Sequence, residues 1–340
     1  MRSWCVILSA VVLAILGPAR SMGAGDNVVR RAAFDIGSSN IKCTVADVDI
    51  ITGTLIKTVA DFSRKVDFAE SLARSYDGNI DTDTMKRGQI AMEELHQEAL
   101  KLQAHQFSAV GGDCFRAARN GRAYFVTLQH TLGFSCRLVS KQQASLLNYH
   151  AVRLMTDIPE SSLLIWDIGG DSQRMTCRNR DNSIDFYMDS LASVTFKNAV
   201  IMAIQGREIE SKGSPNPMDA KQVEEALRYA KAHAEMEMPP KLVERLRTGG
   251  MKVIGIGGVH YHAIPEMLGI GTVPYTRQQV ADAIARWTGK TDMELSSEYA
   301  ATRLTDLILV QAYMEAMHTT EVIPLQCNEA HGLLVSPEYW

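Results

Sequence analysis

Residues 163–176 read LLIWDIGGDSQRMT, and residues 30–45 read RRAAFDIGSSNIKCTV. Each stretch is an apolar run that ends in Asp-Ile-Gly, passes through small polar residues and enters a second alternating run. The apolar runs predict buried strands, and the glycine with its small neighbours predicts a tight turn that folds each stretch into a hairpin. Backbone N–H groups in such a turn can converge on a phosphate, and the aspartate can face a hydrated divalent cation. A single Asp-x-Gly is also an ordinary β-turn and carries little weight alone. Two copies a lobe's length apart predict two α/β lobes whose turns face each other across a cleft. A third glycine turn, Gly255 to Gly258, follows another buried strand in MKVIGIGGVHYHAI.

Outward from these turns, strands are expected over 32–36, 41–47 and 54–62, then a helix over 84–104 with Asp81 and Asp83 as candidate caps. A strand over 107–111, a helix over 119–132, a strand over 136–140 and a helix over 142–155 follow. The second lobe starts with the strand at 163–167, repeats the hairpin and continues into helices over 196–204, 218–237, 276–287 and 298–317. The expected division is a first lobe over 26–152 and a second over 153–340, whose last segment is a candidate to pack back on the first. The loop KGSPNPMD, 212–219, is the clearest break in the pattern.

The chain has 340 residues, 46% hydrophobic and 22% charged, which is ordinary globular composition and enough for two cores. Its formal net charge of −4 argues against a general basic field for nucleic acid, so no nucleic-acid partner is expected. Residues 1–25 carry Arg2, an apolar run over 5–16 broken only by Ser9, Gly17-Pro18 and a small-residue stretch, the three-part pattern of a signal peptide. A periplasmic or secreted protein is expected, with no membrane contact once that segment is removed. The remaining cysteines, Cys43, Cys114, Cys136, Cys177 and Cys327, contain no C-x-x-C pair and lie mostly in apolar runs, so buried free thiols are expected.

Taken together, the motifs resemble those of the exopolyphosphatase and guanosine pentaphosphate phosphohydrolase (Ppx/GppA) family, within the actin, sugar kinase and Hsp70 superfamily. Asp35-Ile36-Gly37-Ser38-Ser39-Asn40 resembles that family's first phosphate turn, D-I-G-S-N-S. GGDCFRAARN, 111–120, resembles its A-T-S-A-x-R-x-A-x-N segment and keeps Arg116, Ala118 and Asn120. LVSKQQASLL, 138–147, resembles its I-S-G-x-E-E-A-R-L helix start. Asp167-Ile168-Gly169-Gly170-Asp171-Ser172 resembles the second turn, Gly255-Ile256-Gly257-Gly258 the third, and NEAHGLLVS, 328–336, the family's closing segment. The resemblance implies two ribonuclease H-like lobes around a central cleft, the actin-like ATPase architecture. It further implies Mg²⁺ or Mn²⁺ as cofactor, held by Asp35 and Asp167. The implied reaction is release of terminal phosphate from polyphosphate or a (p)ppGpp-type nucleotide. Phosphate would be held by Gly37, Ser38, Ser39, Asn40, Arg116, Gly169, Gly170, Ser172, Gly257 and Gly258. A homodimer is one assembly to expect.

The departures from the pattern sit in the same cleft. Where the family has a glutamate base, this chain has Gln142 and Gln143, and Gln143 is expected at the base position. An amide orients water but cannot accept its proton, and losing a general base costs about 10² to 10⁴ in rate. A weak or altered hydrolase follows, in which Gln143→Glu raises turnover. Asp113 stands among residues that are small and polar in the family, Asp171 replaces a glycine, and Gln173-Arg174 replace Thr-Glu. Either the site is rebuilt, with Asp113 or Asp171 as base or extra metal ligand and Arg174 joining Arg116 in holding phosphate oxygens, or the cleft is a catalytically silent phosphate-binding module. A phosphotransferase of the same superfamily is the third reading. His260 and His262 fall where a helix starts, so their rings diverge and no metal pair is expected.

Overall fold

A computed structural model describes residues 27–340 apart from 180, 182, 210–212 and 249. The expected signal segment therefore lies outside the described residues. Five strands form the first sheet: β1 (Val28–Ile36), β2 (Asn40–Asp49), β3 (Thr54–Lys65), β4 (Gln106–Gly111) and β5 (Ser135–Leu138). Helices α1 (Phe68–Ala73), α2 (Thr82–Lys101), α3 (Asp113–Ala117), α4 (Gly121–Leu132) and α5 (Lys141–Met155) connect and follow them. The strand order is β3-β2-β1-β4-β5. β1 and β2 pair as the antiparallel hairpin, whereas β4 and β5 run parallel to β1. Asp81 caps α2 by accepting from the Thr84 N–H at 2.7 Å.

The second lobe repeats the plan. It comprises β6 (Leu163–Ile168), β7 (Gln173–Arg178), β8 (Ile184–Asp189), α6 (Ser193–Ala199), α7 (Ala220–Glu237), α8 (Pro240–Arg247), β9 (Lys252–Ile256) and α9 (Ile264–Leu268). The chain continues through β10 (Tyr275–Thr276), α10 (Arg277–Trp287), α11 (Asp292–Leu295), α12 (Ala300–Ala316), β11 (Glu321–Pro324) and α13 (Glu329–Val335). Its sheet runs β10-β11-β9-β6-β7-β8, so β8-β7-β6-β9-β11 reproduces the first sheet's order with β10 added at the edge. Parallel strands covered on both faces must be apolar throughout, which is why LLIWDI is buried apart from Asp167. These are two ribonuclease H-like lobes of the actin-like ATPase architecture.

Each lobe has its own core, around Phe34, Phe68 and Phe115 in the first and Trp166, Phe196 and Tyr313 in the second. α13 returns to the first lobe, where Ala330, Leu333 and Leu334 pack with Ala33, Val110 and Leu147. That approach needs a glycine: a Cβ on Gly332 would stand 1.9 Å from the Leu147 carbonyl oxygen. Arg31 fixes the helix end by donating to the Leu334 carbonyl at 2.8 Å. α5 runs on to Met155, past the division expected at residue 152. The five cysteines among the described residues are free and buried. Among the described residues no helix is long and apolar enough to cross a membrane.

Candidate functional site

The two Asp-Ile-Gly turns close in the same way. Gly37 N–H donates to the Asn40 carbonyl at 3.0 Å, and Gly169 N–H donates to the Ser172 carbonyl at 2.9 Å. No other backbone group takes the N–H of Ser38, Ser39, Asp171 or Ser172. The turns meet across the cleft, where Gly170 N–H donates to Ser38 Oγ at 3.2 Å and Ser172 Oγ donates to Asp113 Oδ2 at 2.6 Å. Tyr299 from the second lobe donates to Asn40 Oδ1 at 2.9 Å. Gly257, at a φ of 82°, brings the third turn against the second: a Cβ there would stand 2.7 Å from Asp167 Oδ1. Around these contacts lies a cleft of about 1670 Å³, lined by both aspartates and all three turns.

Its floor is a lattice of fixed charges. Asp35 stands directly opposite Lys42 in the β1–β2 ladder, and Asp167 directly opposite Arg174 in the β6–β7 ladder. Lys42 Nζ lies 3.5 Å from Asp35 Oδ2, and Arg174 Nη2 lies 3.2 Å from Asp167 Oδ2 and 2.7 Å from Glu329 Oε1. Asn148, from α5, donates to Asp167 Oδ2 at 2.9 Å. Burial opposes the charge on Lys42 and Arg174, but the surrounding carboxylates outweigh it and both are raised. Burial, reinforced by Asp35 and Asp167, pushes the Glu329 carboxyl up to about 7 against the pull of Arg174.

Of the expected site residues, Gly37, Ser38, Ser39, Asn40, Gly169, Gly170, Ser172, Gly257, Gly258, Asp35, Asp167, Asp113 and Asp171 line this cleft. Gln143 does not. Its side chain is exposed and accepts from the Ser140 N–H at 2.8 Å, while Ser140 Oγ accepts from the Gln143 N–H at 3.2 Å. This capping box starts α5, so the amide serves the helix end rather than the cleft. Arg116 is also absent from the lining; it donates to Asp113 and to the Val139 carbonyl. Asp113 is thereby held between Arg116 and Ser172. Burial raises the Asp171 carboxyl while the Ser38 hydroxyl opposes it. His260 is buried against the Tyr275 hydroxyl at 2.6 Å, and burial pushes it down to about 3, so it stays neutral. Sequence reasoning missed Lys42, Asn148 and Glu329. For Lys42 a signal existed: each Asp is followed by a basic residue seven positions on, Asp35 to Lys42 and Asp167 to Arg174.

Residues 45–202 match the Ppx/GppA phosphatase family. Over this span the chain is similar to that family. The Ppx/GppA member from Aquifex aeolicus is 15% identical, with a TM-score of 0.68 over 91% of this chain and 97% of its own. An exopolyphosphatase from Cytophaga hutchinsonii is 14% identical, with a TM-score of 0.70 over 90% and 96% of the two chains. An exopolyphosphatase-like protein at 12% identity reaches a TM-score of 0.74 over 91% and 97%. At such identities the structural likeness speaks for the fold alone.

Ppx/GppA proteins generally depend on a divalent metal. The donor set of this chain does not fit one. Asp167 Oδ2 already accepts from Asn148 and Arg174, Glu329 from Arg174, and Asp35 faces Lys42. Among the described residues no three His, Cys, Asp or Glu side chains are grouped to hold an ion. A divalent cation at these carboxylates would settle beside Lys42 and Arg174, whose charges oppose it.

Proposed function

We propose that this chain is an exopolyphosphatase-like protein that holds the end of a phosphate chain, polyphosphate or a (p)ppGpp-type nucleotide, and cleaves its terminal anhydride slowly. The observation that supports this is the pair of facing turns, 37–40 and 169–172, in which the N–H groups of Ser38, Ser39, Asp171 and Ser172 have no backbone partner among the described residues and line one cleft. Converging N–H groups are an anion site, and they need no reorganisation when charge develops on the transferred phosphoryl group. In the reaction a water oxygen attacks the terminal phosphorus, the bridging P–O bond breaks, and the shortened chain leaves with the electron pair. Positioning and charge stabilisation carry most of such a reaction.

Turnover is low because proton transfer is poorly served. Gln143 caps a helix away from the cleft, and Asp113 and Glu329 are each engaged by an arginine. Loss of a positioned base costs about 10²- to 10⁴-fold. A silent binding module is the second reading, favoured by the Asp171 carboxyl beside the Ser38 hydroxyl in the second turn. The leader-like pattern of residues 1–25 supports export as part of this proposal.

The deciding experiment pairs calorimetric titration with phosphate release, using tripolyphosphate, long polyphosphate and guanosine pentaphosphate. Binding with slow release supports the hydrolase, and binding with none supports the silent module. Failure of all three compounds to bind refutes the reading.

A further inference from the structure

Arg174 is unusually placed for a buried arginine. It lines the cleft, its side chain is 12% exposed, and its Nη2 serves both Asp167 and Glu329. Its Nε and Nη1 are fully buried and have no partner among the described residues. Leaving charged N–H groups unpaired inside a protein is costly, so a site that does this keeps them for something that arrives. A guanidinium offers five N–H donors in a plane, suited to two oxygens of one phosphate. Arg116 is close enough to be depressed by Arg174 after burial, and an anion settling by Arg174 would relieve that repulsion. The first lobe repeats the pattern. Lys42 stands across its ladder from Asp35 as Arg174 stands from Asp167.

Building on the phosphate reading above, we infer that Arg174, seconded by Lys42, is a built-in substitute for the divalent metal. It pairs with Asp167 and Glu329 and keeps two unpaired donors, Nε and Nη1, that turn to the phosphate chain as it binds, so this cleft binds phosphate chains without metal. Mg²⁺ would have to displace a guanidinium that never deprotonates from two carboxylates, and would then face Lys42 as well. At carboxylates paired with an arginine a divalent cation meets like charge beside the oxygens it would need.

The test uses the full protein and inorganic tripolyphosphate, titrated once in EDTA and once in Mg²⁺, together with Mn²⁺ alone followed by electron paramagnetic resonance. The unmodified protein should bind tripolyphosphate in EDTA and take up no Mn²⁺ at this site. Arg174→Gln should bind tripolyphosphate about tenfold or more weaker in EDTA, the loss expected for charged hydrogen bonds. With Asp167 and Glu329 released, the same variant should take up Mn²⁺, and metal should restore its tripolyphosphate binding. Should Arg174→Gln fail to fold, the two measurements on the unmodified protein still decide. Tripolyphosphate binding that appears only with Mg²⁺, or Mn²⁺ uptake by the unmodified protein, overturns the inference while the phosphate reading stands. Absence of binding in both buffers overturns the phosphate reading, and this inference falls with it.

Discussion

Gly170→Ala tests whether the two turns must close on each other. The glycine sits where the second turn touches the first, and its φ is outside the left-handed region, so alanine is compatible with its backbone. The added Cβ would stand 2.5 Å from Ser39 Oγ and 2.7 Å from Ser38 Oγ, both inside the 3.0 Å that real Cβ atoms keep. Within its own lobe the nearest atom, Val194 Cγ2, lies at an ordinary 3.5 Å. The clash is therefore borne by closure of the cleft and not by the fold of either lobe. Overpacking of this kind costs about 1–3 kcal/mol, which weakens a ligand gripped from both sides by about 5- to 150-fold. Calorimetry with tripolyphosphate should show that loss, while thermal unfolding changes by less than about 0.5 kcal/mol, as for a substitution that spares both cores. Because the clashing atoms are hydroxyl oxygens, Ser38→Ala and Ser39→Ala added to Gly170→Ala should recover most of the loss relative to the serine pair alone. Unchanged affinity in Gly170→Ala, or a loss that the serine substitutions do not relieve, would refute closure as the basis of binding.

Gln143→Glu keeps the Ser140 capping box and adds an anion to the first turn of α5, so stability should rise by about 0.3–1 kcal/mol. Phosphate release should stay within about twofold, since the side chain lies outside the cleft; a large gain in a release assay would mean that the start of α5 reaches the substrate. Asp171→Gly removes a carboxylate from the second turn and should tighten tripolyphosphate binding by about tenfold at pH 8. The gain should shrink as the pH falls from 8, because burial raises this carboxyl and the unmodified protein then loses the opposing charge. A gain that stays the same across the acid range counts against Asp171 facing the ligand. Asp306, 2% exposed, is raised by burial from an ordinary 3.8 to about 6. Its folded form holds the proton more tightly than the unfolded chain, so stability is lost as pH rises between those values. Asp306→Asn should therefore add about 3 kcal/mol at pH 7.5 and little at pH 3.5, measured by urea unfolding.

The hairpin repeat was legible because its determinants are local. A strand buried on both faces must be apolar, a tight turn must use small residues, and Asp35 and Asp167 fall at matching positions whatever surrounds them. The two sheets then share an order because each hairpin leaves the same edge open for parallel strands. The cross-strand cations were also written locally, seven residues after each aspartate, since a two-strand register fixes which side chains face each other. Gln143 was harder. Its neighbours in sequence point to a base, but a glutamine three residues after a serine satisfies a helix end just as well, and only the placed α5 decides between the two. Glu329 lies beyond sequence reasoning altogether. It reaches Arg174 because α13 returns across the first lobe, and that return depends on Gly332 meeting Leu147 and on Arg31 holding the Leu334 carbonyl. Local patterns fix strands and turns through nearest-neighbour sterics and solvation. The charge balance of the cleft sums groups from residues 35, 42, 167, 174 and 329, whose separation is set by packing between distant segments and by the burial that packing imposes.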